Sequence, residues 1–160
     1  MPCYLFTYHA HGSWMPDNPR GYVKRGQGIL AQDKQMAAQY RGNLEQETIH
    51  FDPKIQQLVI AETEVACSHQ NLRCHFIATE PTHIHVLVSW TIDRTWEVVR
   101  AKLRESLSRR LNGDVKRCEW FSKSPSRKRV KDRAHFDYLI TKYLPKHRGW
   151  KWAEGVGALQ

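Results

Sequence analysis

Residues 74–90 read CHFIATEPTHIHVLVSW, and the fold follows from how this stretch divides. Cys74 to Thr79 predicts one strand, Glu80-Pro81 breaks it because proline carries no amide hydrogen for a ladder, and His83 to Trp90 predicts a second, hairpin-like partner. The period of two along the second strand sends His83 and His85 to one face and Ile84, Val86 and Val88 to the other. Upstream, Asp52 before Pro53 starts a helix whose Ile55, Leu58, Val59, Val65 and Ala66 form an apolar stripe to about Ser68. Residues 3 to 10, rich in aromatics and bounded by Gly12, predict a first strand. Between these, residues 12 to 50 predict a long loop, punctuated by Pro16, Asn18, Pro19, Gly21, Gly26 and Gly28 and holding one short helix near 33 to 41. Downstream, Asp93 or Thr95 caps a helix with Trp96, Val99, Leu103, Leu107 and Leu111 on one side, Arg100, Lys102, Arg104, Arg109 and Arg110 mainly outside, and Asn112-Gly113 as its end. Cys118 to Phe121, with Arg129 to Lys131, supplies a fourth strand. Phe136, Leu139, Ile140, Tyr143 and Leu144 then follow the spacing of a final helix.

Strand, helix, strand, strand, helix, strand and one helix more is the order of an α+β sandwich of ferredoxin-like or RRM-like type, an antiparallel sheet with helices on one face. All 160 residues read as one domain without internal repeat.

Hydrophobic residues are 41% and charged residues 26% of the chain, which excludes a disordered tail. No apolar run approaches the ~20 residues of a bilayer span, and the N-terminus lacks the order of a secretory signal. Four cysteines without a C-x-x-C pair fit a reducing cytoplasm, and Cys67, Cys74, His69 and His75 match no common zinc spacing. The net charge is +9. From Lys116 to Lys151 there are twelve Lys or Arg against three acids, so the whole excess lies in that segment. Lys123, Arg127, Lys128, Arg129, Lys131, Arg133, Lys142, Lys146 and Arg148 are its candidate phosphate contacts, and a polyanionic partner is expected there.

Two imidazoles side by side on a strand can chelate a divalent ion, each needing a partner for its other ring nitrogen. By itself His-x-His is a weak signal, as His9-Ala10-His11 at the end of the first strand shows; no metal is assigned there. The final helix supplies a nucleophile candidate. Tyr143 and His147 are four apart and share a face on an uninterrupted helix, with Lys142, Lys146 and Arg148 around them. Pro145 between them removes a backbone bond to Thr141 and is expected to kink the helix. Tyr138 is the rival tyrosine, off the stripe.

Together these residues resemble the single-tyrosine transposases of the HUH (His-hydrophobic-His) superfamily, of insertion-sequence or REP-associated type. Residues 11–21 (HGSWMPDNPRG) are similar to that family's opening loop, residues 80–88 (EPTHIHVLV) to its metal strand, and Arg127 to Gly149 to its basic strand and nucleophile helix. The resemblance implies that Tyr143 is the nucleophile and that His83, His85 and His147 hold Mg²⁺ or Mn²⁺, His147 standing where the family usually has Gln or Asn. It implies single-stranded or hairpin DNA as substrate, cleaved and rejoined through a 5′-phosphotyrosine bond, and a bacterial, nucleoid-associated setting. Either a monomer or a homodimer that exchanges the nucleophile helix is compatible with it. Lys142 and Lys146 are the expected charges that lower the phenol pKa, and Trp90, Trp120, Trp150 and Trp152 are candidates for stacking on bases. The alternative reading is a non-catalytic nucleic-acid-binding module on the same fold, which explains the charge but not the histidine pair.

Overall fold

The hairpin over 74–90 forms as its sequence predicts. In the computed structural model, which describes residues 1–13, 15, 19–24, 26–44, 46–123 and 125–160, the strands are β1 (Cys3–His9), β2 (Tyr22–Lys24), β3 (Gly28–Leu30), β4 (Arg73–Glu80), β5 (His83–Ser89), β6 (Ser126–Arg129), β7 (Lys151–Ala153) and β8 (Gly157–Leu159). The helices are α1 (Lys34–Gly42), α2 (Pro53–His69), α3 (Trp96–Asp114) and α4 (Arg133–Tyr138), the last continued by a π turn (Leu139–Tyr143) and a 3₁₀ turn (Leu144–Lys146). Six strands make one sheet in the order β6-β1-β5-β4-β7-β8, antiparallel at every pairing. Its first four strands have the order of the ferredoxin-like βαββαβ unit, so the α+β class is as expected.

Alternation along β5 separates two apolar layers. Ile84, Val86 and Val88, with Tyr4, Phe6 and Tyr8 of β1, pack against Val59 and Ile60 of α2 and Val99, Leu103 and Leu107 of α3. On the opposite face Leu5, Phe76, Ala78 and Leu87 pack against Leu139 and Leu144. The final helical segment therefore covers the face that α2 and α3 leave open.

Local chemistry explains the helix starts. Asp52 accepts a hydrogen bond from the Ile55 amide at 2.8 Å with Pro53 in the first turn, and Thr95 stands at the start of α3 without a side-chain cap bond. The apolar stripe of α2 is rotated from the expected one. Val65 is 47% exposed, and Ile60, Thr63 and Cys67 are buried instead, because α2 faces both the sheet and α3, which widens the buried arc. Asn112-Gly113 does not end α3, which continues to Asp114. Arg100 and Arg104 do not lie free on its outer surface: each turns in to a backbone carbonyl, of Pro125 at 2.7 Å and of Phe121 at 3.0 Å.

Three further expectations change. The stretch 12–50 holds a β2–β3 hairpin besides α1; Trp14, Pro16, Asp17 and Asn18 of its opening lie outside the described residues. Gly21 at φ 81° passes so close to the Leu30 carbonyl that a side chain would collide with it, which fixes a glycine at the base of the hairpin. Cys118 to Phe121 is not the fourth strand. Phe121 makes only a bridge to Ala10, and the edge strand is β6, a few residues later. Finally, β7 and β8 extend the sheet beyond β4, where three-residue strands leave too short an alternation to read.

No helix among the described residues is long and apolar enough to cross a membrane. Truncating Leu107, fully buried between α3 and the sheet, to alanine is expected to cost about 2–5 kcal/mol in urea-induced unfolding. Val65→Ala on the outer side of α2 should stay within about 0.5 kcal/mol of the parent.

Candidate metal and tyrosine site

The face of β5 opposite α2 and α3 carries His83, His85 and Leu87. Cross-strand register sets their neighbours: His85 lies between Thr7 of β1 and Ala78 of β4, and His83 between His9 and Glu80. Thr7 Oγ1 is 2.7 Å from His85 Nδ1, a hydrogen bond that fixes the ring and leaves Nε2 facing outward. Thr82 Oγ1 is 3.0 Å from His83 Nδ1 in the same role.

The final helix reaches this face by losing its α geometry. Pro145 has no amide hydrogen to give to Thr141, and its ring crowds that carbonyl. The chain responds by widening into the π turn over Leu139–Tyr143 and then tightening into the 3₁₀ turn, so the uninterrupted helix expected from the Tyr143–His147 spacing is not formed. His147 ends it in an extended conformation (φ −65°, ψ 138°). Its Nδ1–H donates to the Leu144 carbonyl at 3.0 Å, so its Nε2 is also the nitrogen with a free lone pair.

The outcome brings His83, His85 and His147 together, one potential ligand nitrogen from each lying within 4.8 Å of the others. Tyr143 completes the group: its hydroxyl is 3.5 Å from His85 Nε2 and its ring centroid 5.4 Å from that of His147. All four come from one chain. Tyr138, the rival, is half exposed and stacks beside Tyr143 with 6.5 Å between centroids.

The turn bearing His147 is pinned from behind. Gln56, buried on α2, accepts from the Trp150 amide at 3.0 Å and from Thr79 Oγ1 at 2.9 Å, and donates to the Phe51 carbonyl at 2.8 Å. A methyl group at Gly149 would run into Gln56 Oε1 and the Thr79 carbonyl, so only glycine lets the chain pass. Lys151 Nζ donates to the His147 and Gly149 carbonyls, at 2.9 and 3.1 Å, and Glu80 accepts from the Arg148 amide at 2.7 Å.

Burial and neighbouring charge keep His83 and His85 neutral. Burial, then the neighbouring His9, His147 and Arg20, bring the His83 pKa down to about 4. Burial, then His83, His147 and His9, bring that of His85 to about 2. Neutral rings with one nitrogen committed and the other free are the form that binds a metal. The residues therefore fit a divalent ion, and three nitrogen donors favour manganese or its later neighbours over magnesium, which prefers oxygen. The phenol moves the other way from the expectation. Burial and then Tyr138 raise the Tyr143 pKa, while the opposing cation is Arg20 rather than Lys142 or Lys146, both of which are exposed.

Several contributors are not evident from sequence alone. Arg20 comes from the loop before β2. Thr7 could be found only once the β1–β5 register is known. His9, from the pair assigned no metal, packs against His83 with 5.8 Å between ring centroids. The nine candidate phosphate contacts are all exposed but do not share one face. Register puts Arg127 and Arg129 beside Phe6 and Tyr4, on the α3 side, and Lys128 beside Leu5 on the histidine side. Arg127 lies 3.8 Å over the Trp96 ring, and Arg133 bonds Asp137 at 2.9 Å. Trp90 and Trp120 are buried in the core rather than available for stacking on bases, whereas Trp150 and Trp152 are partly exposed.

No protein-family model matches the chain, and no curated protein matches it. Among solved structures, it is similar to a REP-associated tyrosine transposase bound to a REP hairpin, at 6% identity and TM-score 0.47, over 90% of this chain and 70% of that one. It is also similar to a Deinococcus radiodurans protein assigned as a transposase, at 12% identity and TM-score 0.48, over 91% and 90% of the two chains.

Because the folded pKa of His83 lies below its unfolded value of 6.5, the unfolded chain takes up protons more readily in acid. Stability of the metal-free protein should be fully present above pH 6.5 and fall as pH drops toward 4; His83→Gln should flatten that slope in denaturation curves recorded across the range. Thr7→Val, which removes the bond to His85 at little change in volume, should weaken Mn²⁺ binding roughly 10- to 100-fold in electron paramagnetic resonance titrations.

Proposed function

We propose that this chain is a metal-dependent transposase or endonuclease of single-stranded DNA, which cleaves and rejoins strands through a 5′-phosphotyrosine bond on Tyr143. The observation that carries this reading is the meeting of the Tyr143 hydroxyl with the three-imidazole cluster inside one subunit.

His83, His85 and His147 would hold the ion, Mn²⁺ or a later first-row divalent ion by their donor chemistry, which when bound would supply Lewis-acid polarisation of the scissile phosphate. Tyr143 comes from the π turn with its hydroxyl 3.5 Å from His85 Nε2, and in this reading its oxygen would attack the phosphorus in line. Its proton must leave as the O–P bond forms, since burial keeps the phenol neutral at rest. Arg20, whose charge already opposes that effect at Tyr143, steadies the phenolate as it develops. The 3′-oxygen departs with a proton, and the bond energy retained in the phosphotyrosine lets a second 3′-hydroxyl reverse the step without a nucleotide cofactor.

The basic segment would grip the strand through its phosphates, with Arg127 and Arg129 on one side of the β6 edge and Lys128 on the other. With the four residues supplied by one chain, a monomer carries a full set, so helix exchange between two copies is not required. The non-catalytic module explains the charge alone. It gives no reason for three imidazoles to gather beside a tyrosine hydroxyl.

Hairpin DNA labelled on the 3′ side of a cleavage point should, with Mn²⁺, give a labelled covalent band on denaturing gels. Tyr143→Phe should abolish that band while leaving DNA affinity within about twofold, because the phenol oxygen contributes to chemistry rather than grip. Binding by the parent chain with no covalent band in any metal, or a band that survives Tyr143→Phe and is lost in Tyr138→Phe, would refute the assignment.

A further inference from the structure

At the opposite end of the histidine face, between α4 and the β4–β7 edge, lies a cavity of about 490 Å³ lined by Cys3, Phe76, Phe136 and Ile140 and by the polar residues Arg73, His75, Ser89, Arg133 and Glu154. Three of the polar groups form a chain. Ser89 Oγ is 2.7 Å from His75 Nε2, and His75 Nδ1 is 3.2 Å from Glu154 Oε2. The other carboxylate oxygen, Oε1, accepts from Arg73 Nε at 2.7 Å. Because a carboxylate can only accept, Nδ1 carries the ring hydrogen and Nε2 is left to take the proton of Ser89.

A backbone irregularity aims the ring. Pairing of β4 with β5 slips between Cys74 and Phe76, so His75 is the extra residue of a bulge, a device that redirects a side chain and recurs beside reactive sites. The redirected imidazole meets the Phe136 ring edge-on at 5.0 Å between centroids and is only 9% exposed. The β7–β8 turn delivers Glu154, whose amide donates to the His75 carbonyl at 3.1 Å, so histidine and carboxylate are tied by backbone as well as side chain.

We propose that Ser89, His75 and Glu154 form a second reactive site, a serine nucleophile with its base and its orienting carboxylate, that takes carboxylic esters of short apolar acyl groups. Ser89 Oγ attacks the ester carbon as its proton passes to His75 Nε2, and the C–O bond of the ester breaks with the proton returned to the departing alcohol. Water then hydrolyses the acyl-serine by the same proton path, releasing the acid. Glu154 is a positioning residue that holds the ring tautomer. Phe76, Phe136 and Ile140 supply the apolar wall for the acyl chain, and Arg133, bonded to Asp137, also lines the cavity. Supporting this, the Arg73 hydrogen bond leads in holding the Glu154 carboxyl below its usual range, and burial keeps His75 neutral. Burial also pushes the Cys3 thiol up to about 11, and it is Ser89 whose oxygen is hydrogen-bonded to the imidazole base. None of these residues belongs to the histidine–tyrosine cluster, so the outcome is independent of the reading above.

The test is labelling of the full chain with a fluorophosphonate probe, peptide mapping of the adduct, and hydrolysis of p-nitrophenyl acetate and butyrate. The expected result is one adduct, on Ser89, absent in Ser89→Ala. Glu154→Gln, on an exposed turn, should lower kcat for ester hydrolysis on the order of a hundredfold with KM unchanged, and Ser89→Cys should keep a nucleophile that is acylated at the same position. No adduct in the parent, an adduct elsewhere, or Ser89→Ala or Glu154→Gln hydrolysing at the parent rate would overturn the proposal and leave the three residues as a clasp joining the β7–β8 turn to the sheet.

Discussion

The strict alternation of β5 between two flanking antiparallel strands is the constraint on which the architecture turns. Ile84, Val86 and Val88 are wholly buried against α2 and α3, and a slip of one residue would exchange them for His83, His85 and Leu87. Burying imidazoles in the main core would leave their nitrogens without partners at a cost of several kcal/mol. The core therefore holds the register, and the register holds Thr7 opposite His85. A hydrogen bond that tunes a candidate ligand is in this sense supported by hydrophobic packing on the other side of the sheet.

The second constraint is Pro145. On a regular helix, Tyr143 and His147 would stack one turn apart and point the same way. The widened π turn and the tight turn after it instead let the tyrosine look across at His85 while His147 swings in from an extended segment. Such π turns recur at functional positions because they redirect a side chain without ending the helix. Gly149, Gln56 and Thr79 then fix where the segment goes next, so both ends of this short stretch are anchored to different layers.

Much of this is legible in the sequence. The 74–90 hairpin, α2 with its Asp52 cap, and α3 with Leu103, Leu107 and Leu111 inside all follow from periods of two and 3.6 and from turn residues. The sharing of a face by His83 and His85 followed from the same alternation. Properties of the assembled chain did not. Residues 126–129 are Ser-Arg-Lys-Arg, with no apolar face, so nothing in them announces a strand; they pair because β1 presents an open edge. Val65 lies outside because α2 is packed from two directions, and Arg20 reaches the tyrosine from a loop whose path no periodicity encodes. The chain of Ser89, His75 and Glu154 joins residues far apart in sequence through a bulge, which local patterns do not reveal.

The outer border of β6 has a further consequence. A strand at the margin of a sheet offers unpaired amides and carbonyls to any passing segment, and uncovered ones seed aggregates. Here Arg127, Lys128 and Arg129 are all exposed along it, projecting positive charge to both sides. Two copies brought margin to margin would repel, whereas a phosphate chain would be drawn in. The cationic rim thus acts as a filter: it discourages self-polymerisation and leaves the border open to a polyanion.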